Sequence, residues 1–146
     1  MGQASVLLLH SDSDDRDMYC EYLRHHGYAV TVAGSTDEAL PLVPTVDALI
    51  TGLMVPGSIE AVALIQQVRG ELSNLPIVVV TAVSEQRERA ARAGADVVLA
   101  KPCLPDQLMA ELRKAMDAAT VRLVPQQDRR SVPDRRTIER GDRRTT

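Results

Sequence analysis

The chain has 146 residues, room for one compact domain and a short extension, and with no Phe and no Trp its core must be built from Val, Leu, Ile, Ala and Met. No apolar run approaches the ~20 residues of a membrane helix, the N-terminus lacks the basic-then-apolar pattern of a secretory signal, and two cysteines, Cys20 and Cys103, suit packed free thiols in a reducing cytoplasm. The net charge of −3 is unevenly spread: residues 1–125 carry 10 Lys and Arg against 16 acids (−6), whereas residues 126–146 carry 7 Arg, no Lys and 4 acids (+3).

Val6–Leu9 is a short apolar run of the kind buried on both faces of a sheet. Residues 14–26 place Met18, Tyr19, Tyr22 and Leu23 at helical spacing, and Gly27 follows at the C′ position, where positive φ is needed. Val30–Val32 reads as the second strand. Ser35 and Glu38 form a capping box for a helix that Pro41 must shorten or kink. Ala48–Thr51 is the third strand, followed by a Pro56-Gly57 loop and a helix expected over about 58–72. Ile77–Thr81 carries the strongest β signal of the chain. Ser84 can cap a helix through Arg92, closed by Gly94. Val97–Ala100 is the fifth strand, then Lys101-Pro102. Pro105 begins a last helix with one apolar stripe of Leu108, Met109, Leu112, Ala115, Met116 and Ala119. From Pro125 onward there is no apolar periodicity, and no secondary structure is expected.

Five β-then-α units with continuous apolar strands predict an α/β fold: a five-stranded parallel sheet, doubly wound, of flavodoxin-like type. The domain is expected over 1–124 and the arginine-rich segment over 125–146. In such sheets ligands bind at the carboxyl ends of the strands. Those ends carry His10, Ser11 and Asp12 after the first strand, Gly52 after the third, Thr81 at the fourth and Lys101 after the fifth.

Gly27-Tyr28-Ala29-Val30, Leu53-Met54-Val55-Pro56-Gly57, Val80-Thr81-Ala82, Ala93-Gly94-Ala95-Asp96 and Lys101-Pro102 occur in an order and spacing that resembles the receiver domain of two-component response regulators, of the CheY type. The resemblance covers roughly residues 4–120. It implies two acids after the first strand, an Asp ending the third, a hydroxyl ending the fourth and a Lys ending the fifth. The acids would hold Mg²⁺, the third-strand Asp would be nucleophile and ligand, and the Lys and hydroxyl would neutralise phosphoryl oxygens. Here the acid positions fall on His10 and Ser11, and the phosphoacceptor position falls on Gly52, which has no side chain to phosphorylate. A one-residue slip would bring Asp12 toward the metal position, but Leu9 to Tyr28 matches the family without a gap. Thr81 and Lys101 survive, and each has a bland alternative: a hydroxyl satisfying a strand end, and a stem packed over the sheet edge. The family's aromatic switch position falls on Val98. The pattern is that of a pseudo-receiver, not an enzyme, with no metal and no resident cofactor. His25-His26 reads as an exposed helix end.

The extension reads Asp128-Arg129-Arg130, Asp134-Arg135-Arg136, Glu139-Arg140 and Asp142-Arg143-Arg144, an acid before arginine each time. The choice of Arg in all seven places points to its planar fork and stacking face. Arginine takes the O6/N7 edge of guanine, stacks on bases and clamps phosphates, while a carboxylate accepts from the guanine Watson–Crick edge. The segment resembles the arginine-rich stretch of the CheY-like cyclic di-GMP effectors of flagellated bacteria, the Cle proteins. That resemblance implies cyclic di-GMP as ligand and a cytoplasmic adaptor recruited to the flagellar pole, with the motor switch or an attachment system as protein partner. Arg87, Glu88, Arg113 and Lys114 are then candidate surface residues, each also readable as a plain solvated face. Ordering ~16 residues costs on the order of 16–32 kcal/mol of backbone entropy, against about 1.5–3 kcal/mol per charge-assisted hydrogen bond and about 1–3 kcal/mol per stacked base. One guanine is too little, so an intercalated ligand dimer is expected. The competing readings are nucleic-acid binding, disfavoured by the four interleaved acids, and a plain solvated extension or linker.

Overall fold

The computed structural model describes residues 3–82 and 84–123. Five strands, β1 (Ser5–Leu9), β2 (Ala29–Ala33), β3 (Ala48–Thr51), β4 (Ile77–Thr81) and β5 (Val97–Ala100), form one parallel sheet in the order β2-β1-β3-β4-β5. The helices are α1 (Ser13–His25), α2 (Thr36–Ala39), α3 (Ala61–Glu71), α4 (Arg87–Ala93) and α5 (Pro105–Leu123). This is the doubly wound arrangement expected. No helix among the described residues is long and apolar enough to cross a membrane.

Alternation along each strand builds two cores from nearly unbroken aliphatic runs, because successive side chains point to opposite faces. Val6, Leu8, Ala48, Ile50, Val78 and Val80 face α1 and α5, where Tyr19, Leu23, Leu108 and Leu112 complete the packing. Leu7, Leu9, Leu49, Ile77 and Val79 face α2, α3 and α4. Full burial of each such side chain contributes about 1.5–3 kcal/mol, so both layers are closed without any Phe or Trp. The stripe read on α5 is the buried one: Leu108, Met109, Leu112, Ala115 and Ala119 are buried and Met116 half-buried. Cys20 and Cys103 are free and buried.

The local signals hold with three differences. Ser35 caps α2, accepting from the Glu38 amide at 3.1 Å, but the Glu38 carboxylate reaches back to the Gly34 amide at 2.7 Å rather than to Ser35. After one turn the chain tightens into a 3-10 segment, Leu40–Thr45, since Pro41 lacks the donor an α-helix needs. α3 starts at Ala61 rather than near 58, because Gly57 holds φ +139° and Ser58 is tied to the Asp37 carboxylate. Ser84 opens a 3-10 turn, Ser84–Gln86, and α4 begins only at Arg87. Gly94 closes α4 at φ +127°, and its carbonyl accepts from Arg69, whose guanidinium also reaches Asp96 at 2.8 Å and so pins α3 to the α4–β5 turn.

Candidate functional site

The sheet register brings the carboxyl ends of four strands together. Leu9 pairs with Thr51, Thr51 with Val79, and Thr81 with Ala100. Just past these ends the Gly52 amide donates to the Leu9 carbonyl and the Lys101 amide to the Thr81 carbonyl, both at 2.9 Å. His10, Gly52, Thr81 and Lys101 therefore line one edge, as expected, with Ser11 and Asp12 leading away into α1.

Within that edge His10 turns inward and is 3 % exposed. A Cβ built on Gly52 would stand 3.7 Å from His10 Cδ2 and 3.8 Å from Nε2. The imidazole thus occupies the ground beside the residue where the resemblance demands a carboxylate. Its Nδ1 accepts the Asp12 amide at 3.2 Å, which places the ring hydrogen on Nε2. That Nε2 is buried without a hydrogen-bond partner among the described residues. Burial foremost, then the charge of Lys101, holds the imidazole below its ordinary pKa, so it is neutral at pH 7. Tyr19 lies edge-on to the ring at 6.2 Å, donates to the Cys103 carbonyl at 2.8 Å, and has its hydroxyl pushed up to about 12, mainly by burial.

Ser11 and Asp12 are exposed and serve the backbone. Ser11 Oγ donates to the Met54 carbonyl at 2.9 Å. Asp12 is the N-cap of α1: its carboxylate accepts the amides of Asp14 and Asp15 at 2.9 and 3.1 Å, and these bonds draw its pKa down. The slipped alternative, Asp12 as a metal ligand, finds no support in a carboxylate so engaged. Asp47 is exposed and ties down β1 by accepting from the Ser5 amide at 2.8 Å.

Lys101 has a partner that the sequence reading missed. Its Nζ lies 2.9 Å from Asp15 Oδ2, with both side chains partly buried. This ion pair joins the first turn of α1 to the loop before α5. The only signal in the sequence was the acid run Asp12, Asp14, Asp15, Asp17, which does not say which member turns inward. The Lys101–Pro102 peptide is cis. Thr81 is buried at 3 %. Val98 is half-buried against the α2–α4 core, so no ring stands at that position to swing between site and surface.

A hard divalent cation is held by several oxygen donors, carboxylates above all. The donor set here is an imidazole in place of one acid, a hydroxyl turned to a carbonyl in place of the other, and a glycine in place of the third. It does not fit Mg²⁺. Among the described residues no three His, Cys, Asp or Glu side chains gather in metal-holding fashion, His25 and His26 included. The arginine-rich positions, Arg129 to Arg144, lie outside the described residues, as do Asp134, Glu139 and Asp142. Arg87, Glu88, Arg113 and Lys114 are exposed; Glu88 pairs with Arg92 at 2.7 Å and Lys114 with Glu111 at 3.4 Å, ordinary solvated-face contacts.

A doubly wound sheet whose strand ends converge on a lysine and a buried hydroxyl is the framework of the receiver domain of two-component systems. The chain belongs to that family: the response regulator receiver domain model matches residues 6–113. Response regulator MprA of Mycobacterium tuberculosis is 33 % identical over 149 aligned residues, covering 95 % of this chain and 64 % of that protein. MprA of Mycobacterium leprae is 32 % identical over 148, with 94 % and 64 % covered. The chain thus spans somewhat less than two thirds of the length of these curated relatives. Among solved structures, a putative response regulator from Chloroflexus aurantiacus superposes with TM-score 0.73 at 29 % identity, covering 80 % of this chain and 99 % of that one. Chemotaxis response regulator CheY4 of Vibrio cholerae gives 0.70 at 25 %, with 77 % and 98 % covered.

Proposed function

We propose that this receiver domain signals without accepting a phosphoryl group, and that its arginine-rich segment binds cyclic di-GMP, after which the protein engages a protein partner in flagellar motor or attachment control. The observation that carries the first half is Gly52 at the end of β3, with the neutral His10 ring packed beside it. With no carboxylate at the end of β3 and no acid pair beside it, the pocket lacks both the phosphoacceptor and the carboxylate donors for a metal. Loss of that input calls for another, and the acid-before-arginine pattern over residues 128–144 supplies a chemistry fitted to guanine edges, base planes and phosphates. A shallow depression between α4 and β5, lined by Arg87, Glu88, Ala91, Ala95 and Val98, lies where a partner protein could read the domain.

The test uses the full chain. Isothermal titration with cyclic di-GMP should show saturable heat that is lost in Arg135→Lys/Arg136→Lys, since lysine keeps the charge but not the fork. Short DNA or RNA should compete weakly and with a steep salt dependence. No heat with the intact protein, or equal heat with the lysine variant, would sink the ligand assignment. A second reading treats the segment as a connector in a receiver-based interaction module. It is favoured by the alignment with longer relatives, which covers 95 % of this chain and therefore runs well past residue 113. Equal partner binding with and without cyclic di-GMP would select it.

A further inference from the structure

At the end of the sheet opposite His10 the described residues form an apolar groove of about 460 Å³ between the 3-10 segment Leu40–Thr45, the α3–β4 loop and the last turns of α5. Its walls include Val43, Val46, Leu72, Leu75, Met116 and Ala119, and Asp47 is the charged residue among them. Glu71 stands exposed next to Leu72. Arg69 on α3 donates to the carbonyls of Ser73, Leu75 and Gly94 and to Asp96. The groove is lined mainly by aliphatic side chains, with Ser73, Asn74 and the exposed Asp47 as its polar members.

We infer that the occupant of this groove is the chain's own arginine-rich segment, with Val132 and Ile138 entering the apolar walls and neighbouring arginines meeting Asp47 and Glu71. Three observations select it over a foreign peptide. First, connection: Ala119 lies in the groove wall, α5 ends at Leu123 about 6 Å further on, and the segment follows directly. Second, reach: from Leu123, nine residues to Val132 and fifteen to Ile138 span up to about 30 and 50 Å when extended, more than a return to that wall needs. Third, complementarity: the domain balance is −6 and the segment's is +3, and Val132 and Ile138 are the apolar side chains set among the arginines. Being tethered, the segment meets the groove at an effective concentration in the millimolar range, so even a weak contact is populated. The docked segment cannot at the same time wrap a stacked nucleotide. Resting on the cyclic di-GMP reading above, ligand binding then uncovers the groove, which becomes the surface that reports the ligand.

Methyl NMR of the intact chain tests this. Groove methyls (Val43, Val46, Leu72, Leu75, Met116) are compared between wild type and Val132→Asp/Ile138→Asp, without nucleotide, over a dilution series. Docking in cis requires shift changes concentrated on those methyls, absent from the opposite core at Leu8 and Leu23, and independent of protein concentration. Unchanged groove methyls would overturn the inference. Changes that fade on dilution would overturn it in favour of a second copy's segment. Cyclic di-GMP is then added to wild type, with heat of binding measured in parallel. Groove methyls moving toward the double-variant positions support release. Heat without movement overturns release, and no heat with the docking pattern intact removes the ligand assignment while leaving the docked segment standing.

Discussion

Gly52→Asp asks whether the old pocket lacks only its nucleophile. The backbone admits the change, since a Cβ at Gly52 finds its nearest atoms at 3.7–3.8 Å, ordinary contact distance. The new carboxylate would lie within reach of His10 Nε2, which carries the ring hydrogen and has no partner among the described residues. A hydrogen bond to a charged acceptor contributes about 1.5–3 kcal/mol, and relieving a buried unpaired donor recovers a similar amount. Desolvating the carboxylate opposes this with several kcal/mol. The opposing effects nearly cancel, so the variant should fold with stability within about 2 kcal/mol of the parent. The same carboxylate should raise the proton affinity of His10, readable as an upward shift in its NMR titration. Phosphorylation should nevertheless remain absent when Gly52→Asp is incubated with acetyl phosphate and Mg²⁺ and weighed by mass spectrometry, because His10 and Ser11 supply no carboxylate oxygens to hold the metal. His10→Asp/Ser11→Asp/Gly52→Asp should gain labelling. Efficient Mg²⁺-dependent labelling of the single variant would refute the reasoning that the acid pair is as necessary as the nucleophile.

The remaining expectations concern stability. His10 is buried and neutral with its pKa held below the ordinary 6.5, so the unfolded chain binds the proton more tightly; stability is full above pH 6.5 and falls as pH drops through the folded value. Urea midpoints should therefore decline between pH 7 and 5, and His10→Asn should flatten that limb. Gly57→Ala should destabilise by more than about 2 kcal/mol, since its Cβ would meet Thr36 Oγ1 and stand 2.8 Å from the Thr36 amide nitrogen at φ +139°. Gly52→Ala, unstrained and uncrowded, should be neutral or stabilising by about 0.4–1 kcal/mol; thermal melts of the pair make the contrast. Asp15→Asn removes the charge facing Lys101, and because both side chains are partly exposed the loss should stay within about 1 kcal/mol. Hydrogen exchange in the loop 101–104 should rise in that variant.

The order of strands and helices was legible along the chain because each is written in local chemistry: continuous aliphatic runs for a doubly covered sheet, Ser35 at a cap, Pro41 shortening a helix, Gly94 at a positive-φ stop. The glycine at the end of β3 was equally legible, since position 52 has no side chain in any conformation. What His10 does there was not. Its inward turn depends on the space left by Gly52, and its tautomer on the Asp12 amide, neither of which periodicity encodes. The partner of Lys101 also lay beyond reach, because Asp15 is 86 residues away and one of four acids in six positions. Nor could the groove beside Ala119 be read, its walls coming from three elements that meet only once the sheet has wound. Local signals set which elements form; side chains distant in the chain and brought together by folding settle what the strand ends hold.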